Sequence, residues 1–210
     1  MRIPTREEIR QICDQRFSPE VYEKMQAASA AIAGLGGLGS NIAVMLARTG
    51  IGKLKLIDFD RVDLSNLNRQ VYDIRHLGRK KTEALAERLR EINPYLALEV
   101  CDCKVTAENA RGMLAGYPYI CEAFDDPEAK AMLAEQVLLG LPQAYLIAGS
   151  GMAGWGDADQ IHTRRAGKRF FICGDEETDI EDGTGLMAPR VAVCAGHQAN
   201  KVVQLILQEL

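Results

Sequence analysis

The stretch Gly34-Leu-Gly-Gly-Leu-Gly39 decides the fold of this chain, because a strand pattern precedes it and a helix pattern follows it. Residues 28–33 are small and apolar, which suits a buried strand. Residues 41–48 carry apolar side chains along one helical face. A glycine-rich turn between such a strand and such a helix is the G-x-G-x-x-G fingerprint of nucleotide-binding α/β folds.

The glycines and the acid that follows them have separate expected roles. Gly34 allows the tight turn, Gly36 lets backbone approach a phosphate, and Gly39 lets helix and strand pack closely. The helix N-terminus supplies N–H groups and a positive dipole end for the anion. Residues 53–57 are expected to form the second strand and to end at Asp58, where an acid usually holds a ribose hydroxyl. The motif does not distinguish NAD from ATP, and a glycine turn without any ligand is the remaining alternative.

The segment after Asp58 favours ATP. Its candidate nucleotide-binding side chains are Asp60, Ser65, Asn66, Asn68, Arg69 and Gln70. Lys80 and Lys81 then open a predicted helix. Attack on an α-phosphate develops charge on the bridging and leaving oxygens, which arginine forks and lysine ammonium groups stabilise. The alternatives are a surface ion pair for Arg69 and a solvated helix start for the lysines, although cations are disfavoured at a helix N-terminus without a nearby anion.

These motifs resemble the ThiF/MoeB branch of the ubiquitin-activating enzyme superfamily, closest to its short ThiF-type proteins. The resemblance rests on GLGGLG at residues 34–39, IDFD-x-V-x-LSNLNRQ at 57–70 and G-x-x-K at 78–81, and it extends from about residue 18 to the end. It implies adenylation of the C-terminal glycine of a small β-grasp sulfur carrier ending in Gly-Gly, using ATP and Mg²⁺. Thiamine (thiazole) biosynthesis is the implied pathway, and a molybdopterin-type carrier is the alternative. The resemblance also implies a homodimer.

The resemblance assigns roles to individual residues. Gly37 meets the nucleotide through its backbone, Asp58 holds the ribose, and Arg69 contacts the triphosphate at the end of a loop that lines the phosphate side. Lys81 matches the catalytic lysine of the family, and Lys80 is the neighbour with which it can be confused. The predicted crossover loop, residues 175–185, corresponds to a segment that covers the carrier tail, or it is simply an exposed connection.

Two aspartates, Asp125 and Asp126, follow the predicted strand at residues 119–124. Parallel sheets bind ligands at the carboxyl ends of their strands, and Mg²⁺ takes one or two carboxylates together with phosphate oxygens. By the resemblance, Asp125 is the Mg²⁺-linked and catalytic aspartate, and Asp126 replaces the usual Asn. The alternative is an N-cap before Pro127; both interpretations hold if Asp126 caps the helix and Asp125 faces the metal.

The order of the patterns predicts one domain over residues 1–210, with a Rossmann-like, mostly parallel sheet flanked by helices. It divides into a helical arm (1–27), a nucleotide-binding core (28–148), and antiparallel strands, a crossover loop and a closing helix (149–210). Within the core we expect strands at 28–33, 53–57, 96–100, 119–124 and 144–148, and helices at 41–48, 79–92, 107–115 and 128–139.

Composition limits the functional classes. A net charge of −4 with mixed signs argues against a nucleic-acid partner. No apolar run reaches the roughly 18–20 residues that a bilayer requires and no signal segment is visible, so we expect a cytoplasmic protein without a membrane partner. The six cysteines lack C-x-x-C spacing, so no zinc is predicted.

The sequence departs from longer family members in three places. Many carry two C-x-x-C pairs that bind zinc, whereas this chain has only Cys173 near the first place and ends at Leu210. Cys173 is either a thiol near the site or, as we favour, a buried strand-end residue. The expected crossover loop lacks a cysteine, so a covalent thiol step is not supported. Arg16-Phe17-Ser18-Pro19 has proline where relatives place an arginine that reaches the partner's ATP, and neither Arg16 nor Arg10 is assigned as its replacement.

Other functions stay open. Relatives act on a threonylcarbamoyl group of tRNA or on peptide C-termini, and the acidic balance counts against tRNA. An NAD-dependent oxidoreductase fits Asp58, but no catalytic pair for hydride transfer is visible. A non-catalytic nucleotide-binding partner is the last alternative, and the joint presence of Asp58, Arg69, Lys81 and Asp125 argues against it.

Overall fold

A seven-stranded sheet flanked by helices dominates the computed structural model, which describes residues 2–208. The helices are α1 (Arg6–Arg16), α2 (Pro19–Ala27), α3 (Gly37–Thr49), α4 (Lys81–Ile92), α5 (Ala110–Leu114), α6 (Pro127–Gly140) and α7 (Ala188–Leu207). The strands are β1 (Ser29–Ala33), β2 (Lys53–Asp58), β3 (Ala97–Asp102), β4 (Tyr119–Glu122), β5 (Tyr145–Gly149), β6 (His162–Gly167) and β7 (Phe170–Gly174).

The strand order is β3-β2-β1-β4-β5-β7-β6. All neighbouring strands are parallel except β6, which runs antiparallel to β7. The chain therefore moves outward from β1 to β3 and returns to the other side of β1 with β4. A reversal of this kind leaves a crevice at the carboxyl ends of the two central strands, which is where open α/β sheets bind ligands. The predicted fold class is confirmed.

The buried glycine contact between β1 and α3 sets the position of that crevice. A Cβ on Gly39 would lie 1.8 Å from the carbonyl oxygen of Gly34, so only glycine permits this approach of helix and turn. Gly34 itself has φ +90°, a conformation that glycine adopts without steric cost. Helix α3 starts at Gly37, four residues before the predicted helix, because its first turn consists of the glycine motif itself.

The two faces of the sheet have separate apolar cores. Helices α3, α4 and α7 cover one face around Ile32, Leu46 and Val202, and α5 and α6 cover the other around Ile120 and Leu133. Burial on both faces explains why β1 and β4 read as apolar runs rather than alternating patterns. Among the helices described between residues 2 and 208, none has the length and apolar character needed to cross a membrane.

The predicted N-terminal helical arm consists of two helices. Helix α1 ends at Arg16, and Ser18 caps α2 by accepting a hydrogen bond from the backbone of Val21, with Pro19 in the first turn. Serine and proline are preferred at these two positions, so Ser18-Pro19 in the sequence predicts the helix start. The arm contacts the body beside α3 and α4, where Tyr95 donates a hydrogen bond to the carbonyl of Pro4.

A buried ion pair holds the end of β4. Glu122 is 1% exposed, and Lys130 of α6 donates to both of its carboxylate oxygens at 3.0 and 2.8 Å. The backbone N–H of Phe124 donates to the same carboxylate at 2.7 Å. Burial raises the pKa of Glu122, and the charge and hydrogen bonds of Lys130 oppose that rise. This pair fixes the turn that carries Asp125 and Asp126.

Replacing Lys130 by methionine should destabilise the fold in a pH-dependent manner. Breaking a buried ion pair by removing one partner costs about 3–5 kcal/mol. Without Lys130 the pKa of Glu122 rises further, so folding favours the neutral acid. The loss in the free energy of unfolding should be small near pH 5 and should grow toward pH 8, because the carboxyl group of Glu122 ionises at a lower pH in the unfolded state than in the folded state. Urea unfolding at both pH values measures this free energy.

The matched control is the same substitution in a Glu122→Gln background, where no charge is left unpaired. There the loss should be small and independent of pH. Equal losses at pH 5 and pH 8 in the single Lys130→Met variant would show that the ion pair does not carry this effect.

Candidate active site

Three sequence-predicted segments meet at the carboxyl edge of the sheet. The glycine turn follows β1, Asp58 ends β2, and Asp125 lies just beyond β4. The turn and the end of β4 are in direct contact, since a Cβ on Gly34 would lie 2.6 Å from the carbonyl oxygen of Ala123. The edge therefore brings together residues separated by up to about ninety positions in sequence, as expected for the switch point of an α/β sheet.

Helix α3 presents free backbone N–H groups at this edge. Its N-cap is Gly36, which has no side chain to accept a hydrogen bond from the first turn. Uncapped N–H groups and the positive end of the helix dipole attract anions. The helix start is enclosed on one side: a Cβ on Gly37 would lie 3.1 Å from Val191 of α7 and 3.5 Å from the stem of Arg69. Access to the helix start is therefore narrow, and a compact anion such as a phosphate group fits it.

Asp58 lies beside the same turn with its carboxylate engaged by backbone. Its oxygens accept hydrogen bonds from the N–H of Leu35 at 2.6 Å and of Asp60 at 2.7 Å. Asp58 is 8% exposed. Burial raises the pKa of Asp58, and the positive charge of Lys81 acts against that rise. The carboxylate is therefore oriented across the turn rather than toward bulk water, which is the position predicted for a ribose-binding acid.

Backbone contacts close the polar loop between Asp58 and α4 at its base. Arg61 pairs with Lys80 in an isolated antiparallel bridge, and the N–H of Lys81 donates to the carbonyl of Asp60 at 2.9 Å. This bridge keeps residue 80 extended, which is why α4 begins at Lys81 rather than at residue 79 as predicted. Closing the loop returns the chain to the sheet edge with Lys81 beside Asp60.

The two lysines at the start of α4 point to different partners. Lys81 is 6% exposed and its Nζ donates to Asp60 Oδ2 at 2.8 Å, on the Asp58 side. Lys80 is more exposed, and its Nζ lies 2.5 Å from Asp102 Oδ2 at the end of β3. The geometry agrees with the predicted preference for Lys81, since Lys81 lies on the Asp58 side and Lys80 faces the end of β3.

Arg69 is held against the glycine turn by its stem and its backbone. Its carbonyl accepts a hydrogen bond from Asn41 of α3 at 3.1 Å. Its Nη1 donates to the carbonyl of Ser65 at 2.9 Å and to Asn68 Oδ1 at 2.8 Å. The buried Nε of Arg69 and the buried Oε1 of Gln70 have no hydrogen-bond partner in the protein. Unpaired buried polar atoms of this kind are rare in folded proteins, and here they lie beside the helix start.

Ser65 and Asn66 act within the loop itself. Asp63 accepts from the backbone and hydroxyl of Ser65, and Asn66 Oδ1 accepts from the N–H of Asp63 in return. This reciprocal cap stabilises a short helical turn over Leu64–Asn66. Asn68 instead reaches the C-terminal segment, where Nδ2 donates to the carbonyl of Leu186 at 3.3 Å. The loop is thereby connected to the segment that precedes α7.

Asp125 and Asp126 differ in the way the sequence suggested. Asp126 is the N-cap of α6, with Oδ1 accepting from the N–H of Glu128 at 3.1 Å. Asp125 is exposed beside the glycine turn. The strand ends at Glu122, two residues before its predicted end. Residues 2–208 contain no cluster of three or more His, Cys, Asp or Glu side chains that could hold a metal, so Mg²⁺ at Asp125 requires phosphate oxygens as additional ligands.

Two further side-chain groups were missed from the sequence. Tyr72, 4% exposed, places its hydroxyl 2.9 Å from the carbonyl of Leu35 and 3.4 Å from that of Lys81. Its hydroxyl thus links the glycine turn to the start of α4. Burial, followed by the charges of Asp58 and Asp60, raises the pKa of Tyr72 well above its ordinary value, so it stays a neutral hydrogen-bonding group.

The second missed group is the buried pair Asp175–Arg190. Arg190, in the first turn of α7, bonds to Asp175 and donates to the carbonyl of Asp157 at 2.6 Å. Asp175 also accepts from the backbone and hydroxyl of Thr178. Burial acts to raise the pKa of Asp175, but these hydrogen bonds lower it to about 2. The pair ties the glycine-rich segment after β5, the crossover loop and α7 together beside the site.

Three other residues have structural contacts in this part of the chain or in the arm, and the favoured position of Cys173 is confirmed. Cys173 is fully buried in β7, where burial raises the pKa of its thiol to about 11. His76 is 1% exposed and completes a capped turn with Asp73. Arg10 forms an ion pair with Glu23 at 2.9 Å within the arm. A groove of about 1040 Å³ lies between the arm and α4, at the opposite end of α3 from the glycine turn.

Comparison with known proteins identifies relatives with two different described activities. The chain is 45% identical over 119 residues to a tRNA threonylcarbamoyladenosine dehydratase of Escherichia coli, covering 56% of this chain and 44% of the relative. It is 33% identical over 147 residues to a sulfur carrier protein adenylyltransferase of Thermus thermophilus, covering 67% of this chain and 54% of the relative. The chain thus spans about half the length of these curated relatives.

A crystal structure of the E. coli tRNA N6-threonylcarbamoyladenosine dehydratase in complex with ATP superposes with a TM-score of 0.87 and 25% identity. That likeness covers 100% of this chain and 98% of the crystallised chain. The model of the ThiF family matches residues 9–209. This match includes the glycine turn, the polar loop and all seven strands of the sheet. Because the match covers nearly the whole chain, this chain belongs to the ThiF family.

Proposed function

We propose that this chain binds ATP at the carboxyl edge of its sheet and transfers the adenylyl group to a substrate carboxylate, releasing pyrophosphate. One observation carries the proposal. The start of α3, which has no side-chain cap, lies near two cations, Arg69 and Lys81, because the loop that holds them closes next to Asp58. Solved relatives support it, since one is described in complex with ATP.

The arrangement suits a triphosphate better than NAD. A dinucleotide needs the helix start and the ribose-binding acid, but it has no use for a lysine and an arginine fixed beside them. The unpartnered buried Nε of Arg69 and Oε1 of Gln70 give the site polar atoms for a ligand to engage. Arginine meets phosphate in a bidentate manner and lysine as a compact charge.

The chemistry needs few groups beyond these. A terminal carboxylate has an ordinary pKa of about 3.3–3.7, so it is ionised at neutral pH and requires no general base. The barrier comes from bringing two anions together and from the charge on the departing pyrophosphate. Preorganised cations and correct orientation of the reactants lower that barrier. Mg²⁺, if bound through Asp125 and phosphate oxygens, supplies further charge neutralisation.

Two substrates carry the carboxylate in different settings. The similarity to the E. coli dehydratase favours the threonylcarbamoyl group of a modified tRNA, whose threonyl part retains a carboxylate. The similarity to the Thermus protein favours the C-terminal glycine of a sulfur carrier, with thiamine biosynthesis as the implied pathway. The acidic composition argues against tRNA, whereas the higher identity argues for it. The homodimer and the cytoplasmic location stay predictions of the sequence.

Removing either cation should abolish most of the adenylation activity. We expect Arg69→Ala and Lys81→Met each to lower the rate of pyrophosphate release by about 10²-fold or more, the effect of losing one donor to developing charge. The methionine keeps the buried stem of Lys81 but removes the charge that opposes the burial of Asp58, so some fall in melting temperature is expected and the rates are compared well below it. The rate is measured with Mg²⁺, ATP and the substrate that the next experiment identifies.

Lys80→Met is the matched control, since it removes the neighbouring charge from the same helix start. The pair of Lys80 with Asp102 is partly exposed, and exposed pairs contribute about 0–1 kcal/mol. Its rate should therefore stay within about twofold of the parent. If Lys80→Met loses the activity and Lys81→Met keeps it, the assignment of the catalytic lysine is wrong.

The substrate is identified by offering both candidates to the same preparation. With Mg²⁺ and ATP, one sample receives tRNA carrying threonylcarbamoyladenosine and the other a β-grasp carrier ending in Gly-Gly. Substrate-dependent pyrophosphate release is expected in the tRNA sample, with loss of one water from the modified nucleoside by mass spectrometry. Release only in the carrier sample would assign the carrier, and release in neither, together with no ATP binding, would contradict the proposed function.

A further inference from the structure

A pair of cysteines flanks the end of β3, next to the candidate site. Cys101 is the penultimate residue of the strand, and Cys103 follows the strand at a bend. Their Sγ atoms are 2.7 Å apart, which is within a short movement of the roughly 2.05 Å of a disulfide bond. Both residues are partly exposed, whereas Cys121, Cys173 and Cys194 are fully buried. Reagents in solution therefore reach this pair more readily than the core thiols.

The pair is connected to the nucleotide site through two contacts. In the register of β2 with β3, Ile57 lies opposite Cys101 and Asp58 lies opposite Asp102. Asp102, which stands between the cysteines, forms the ion pair with Lys80. The segment thus borders the ribose-binding acid on one side and the residue preceding Lys81 on the other.

We propose that Cys101 and Cys103 form a redox-sensitive dithiol whose oxidation to a disulfide weakens nucleotide binding at this edge. The second part rests on the proposed ATP site. A bond between residues two apart closes a small ring, which forces the backbone of Asp102 out of its extended conformation. That change disturbs the ladder between β2 and β3 at the point where Asp102 lies opposite Asp58.

The reaction is an exchange with a small-molecule disulfide. The Cys101 thiolate attacks one sulfur of the small disulfide, which forms a mixed disulfide and releases one small thiolate. The Cys103 sulfur then attacks Cys101 Sγ, forms the protein disulfide, gives up its proton and releases the second small thiolate. The protein loses two electrons and two protons, and the small disulfide becomes two thiols.

The surroundings set the order of these two attacks. Burial, followed by the hydrogen bond with Cys101, raises the pKa of the Cys103 thiol to about 11. Because the thiolate is the nucleophile, this direction, together with the enclosure of Cys103 against α5, favours Cys103 as the resolving thiol. Met113 lies against it, with its Sδ 3.9 Å from Cys103 Sγ, so the apolar side of the pair is enclosed by α5.

The test equilibrates the full chain in buffers of reduced and oxidised glutathione that contain a chelator. Samples are denatured and alkylated, and their intact masses are measured. In oxidising buffer we expect a species with two fewer alkyl groups and no glutathione adduct, with the bond mapped to the Cys101–Cys103 peptide. Cys13→Ser should behave in the same way, whereas Cys101→Ser and Cys103→Ser should not form this species.

Nucleotide binding is the second readout. By calorimetry with ATP, the oxidised chain should bind about fivefold more weakly or worse, the lower end of typical coupling between two sites. Reduction should restore the affinity, and the affinity of Cys103→Ser should be unaffected by the glutathione ratio.

The outcomes distinguish the two proposals. If both cysteines stay alkylatable in oxidising buffer, or carry only glutathione adducts, the dithiol proposal is overturned. If they are protected only when the chelator is omitted, they bind a metal and the disulfide proposal is wrong. A disulfide with unchanged ATP affinity would overturn the coupling. If the reduced chain binds no ATP, the proposed function is contradicted. The mass measurement still tests disulfide formation in that case, because it does not depend on ATP binding.

Discussion

The site depends on one closed loop. The bridge between Arg61 and Lys80 closes a loop of nineteen positions and returns the chain to the sheet edge next to Asp58. Without it, Arg69 and Lys81 would be ordinary surface cations on a long connection. With it, the stem of Arg69 packs on the first turn of α3, and Lys81 is buried beside Asp60. In the proposed function, the glycine turn supplies an anion-binding helix start, and the closed loop supplies the positive charge that a polyphosphate requires.

Much of this arrangement was readable from the sequence. The glycine spacing predicted the turn, and the acid at Asp58 followed from its distance along the chain, because both depend on local backbone geometry. The G-x-x-K spacing favoured Lys81 over Lys80, but it could not show where either side chain points, because a tertiary bridge orients the two lysines toward different partners. Asp175 and Arg190 were missed for a related reason: their pairing joins a loop to a distant helix, and neither residue carries a local motif.

Buried charge appears repeatedly around the candidate site. Glu122 with Lys130 fixes the end of β4, and Asp175 with Arg190 fixes the start of α7. Such pairs contribute little net stability compared with apolar packing. Their effect here is positional: each holds a connection at the carboxyl edge in one conformation. That accords with the proposed reaction, which requires orientation and charge stabilisation rather than proton transfer.

The central claim is that Arg69 and Lys81 face the phosphates of a bound mononucleotide. A crystal structure of the chain with a non-hydrolysable ATP analogue and Mg²⁺ tests it most directly. The account predicts the guanidinium of Arg69 and Nζ of Lys81 at hydrogen-bond distance from phosphate oxygens, with the ribose at Asp58. An analogue bound elsewhere, or bound at the glycine turn while both cations keep to their loop partners and leave the phosphates uncontacted, would contradict it.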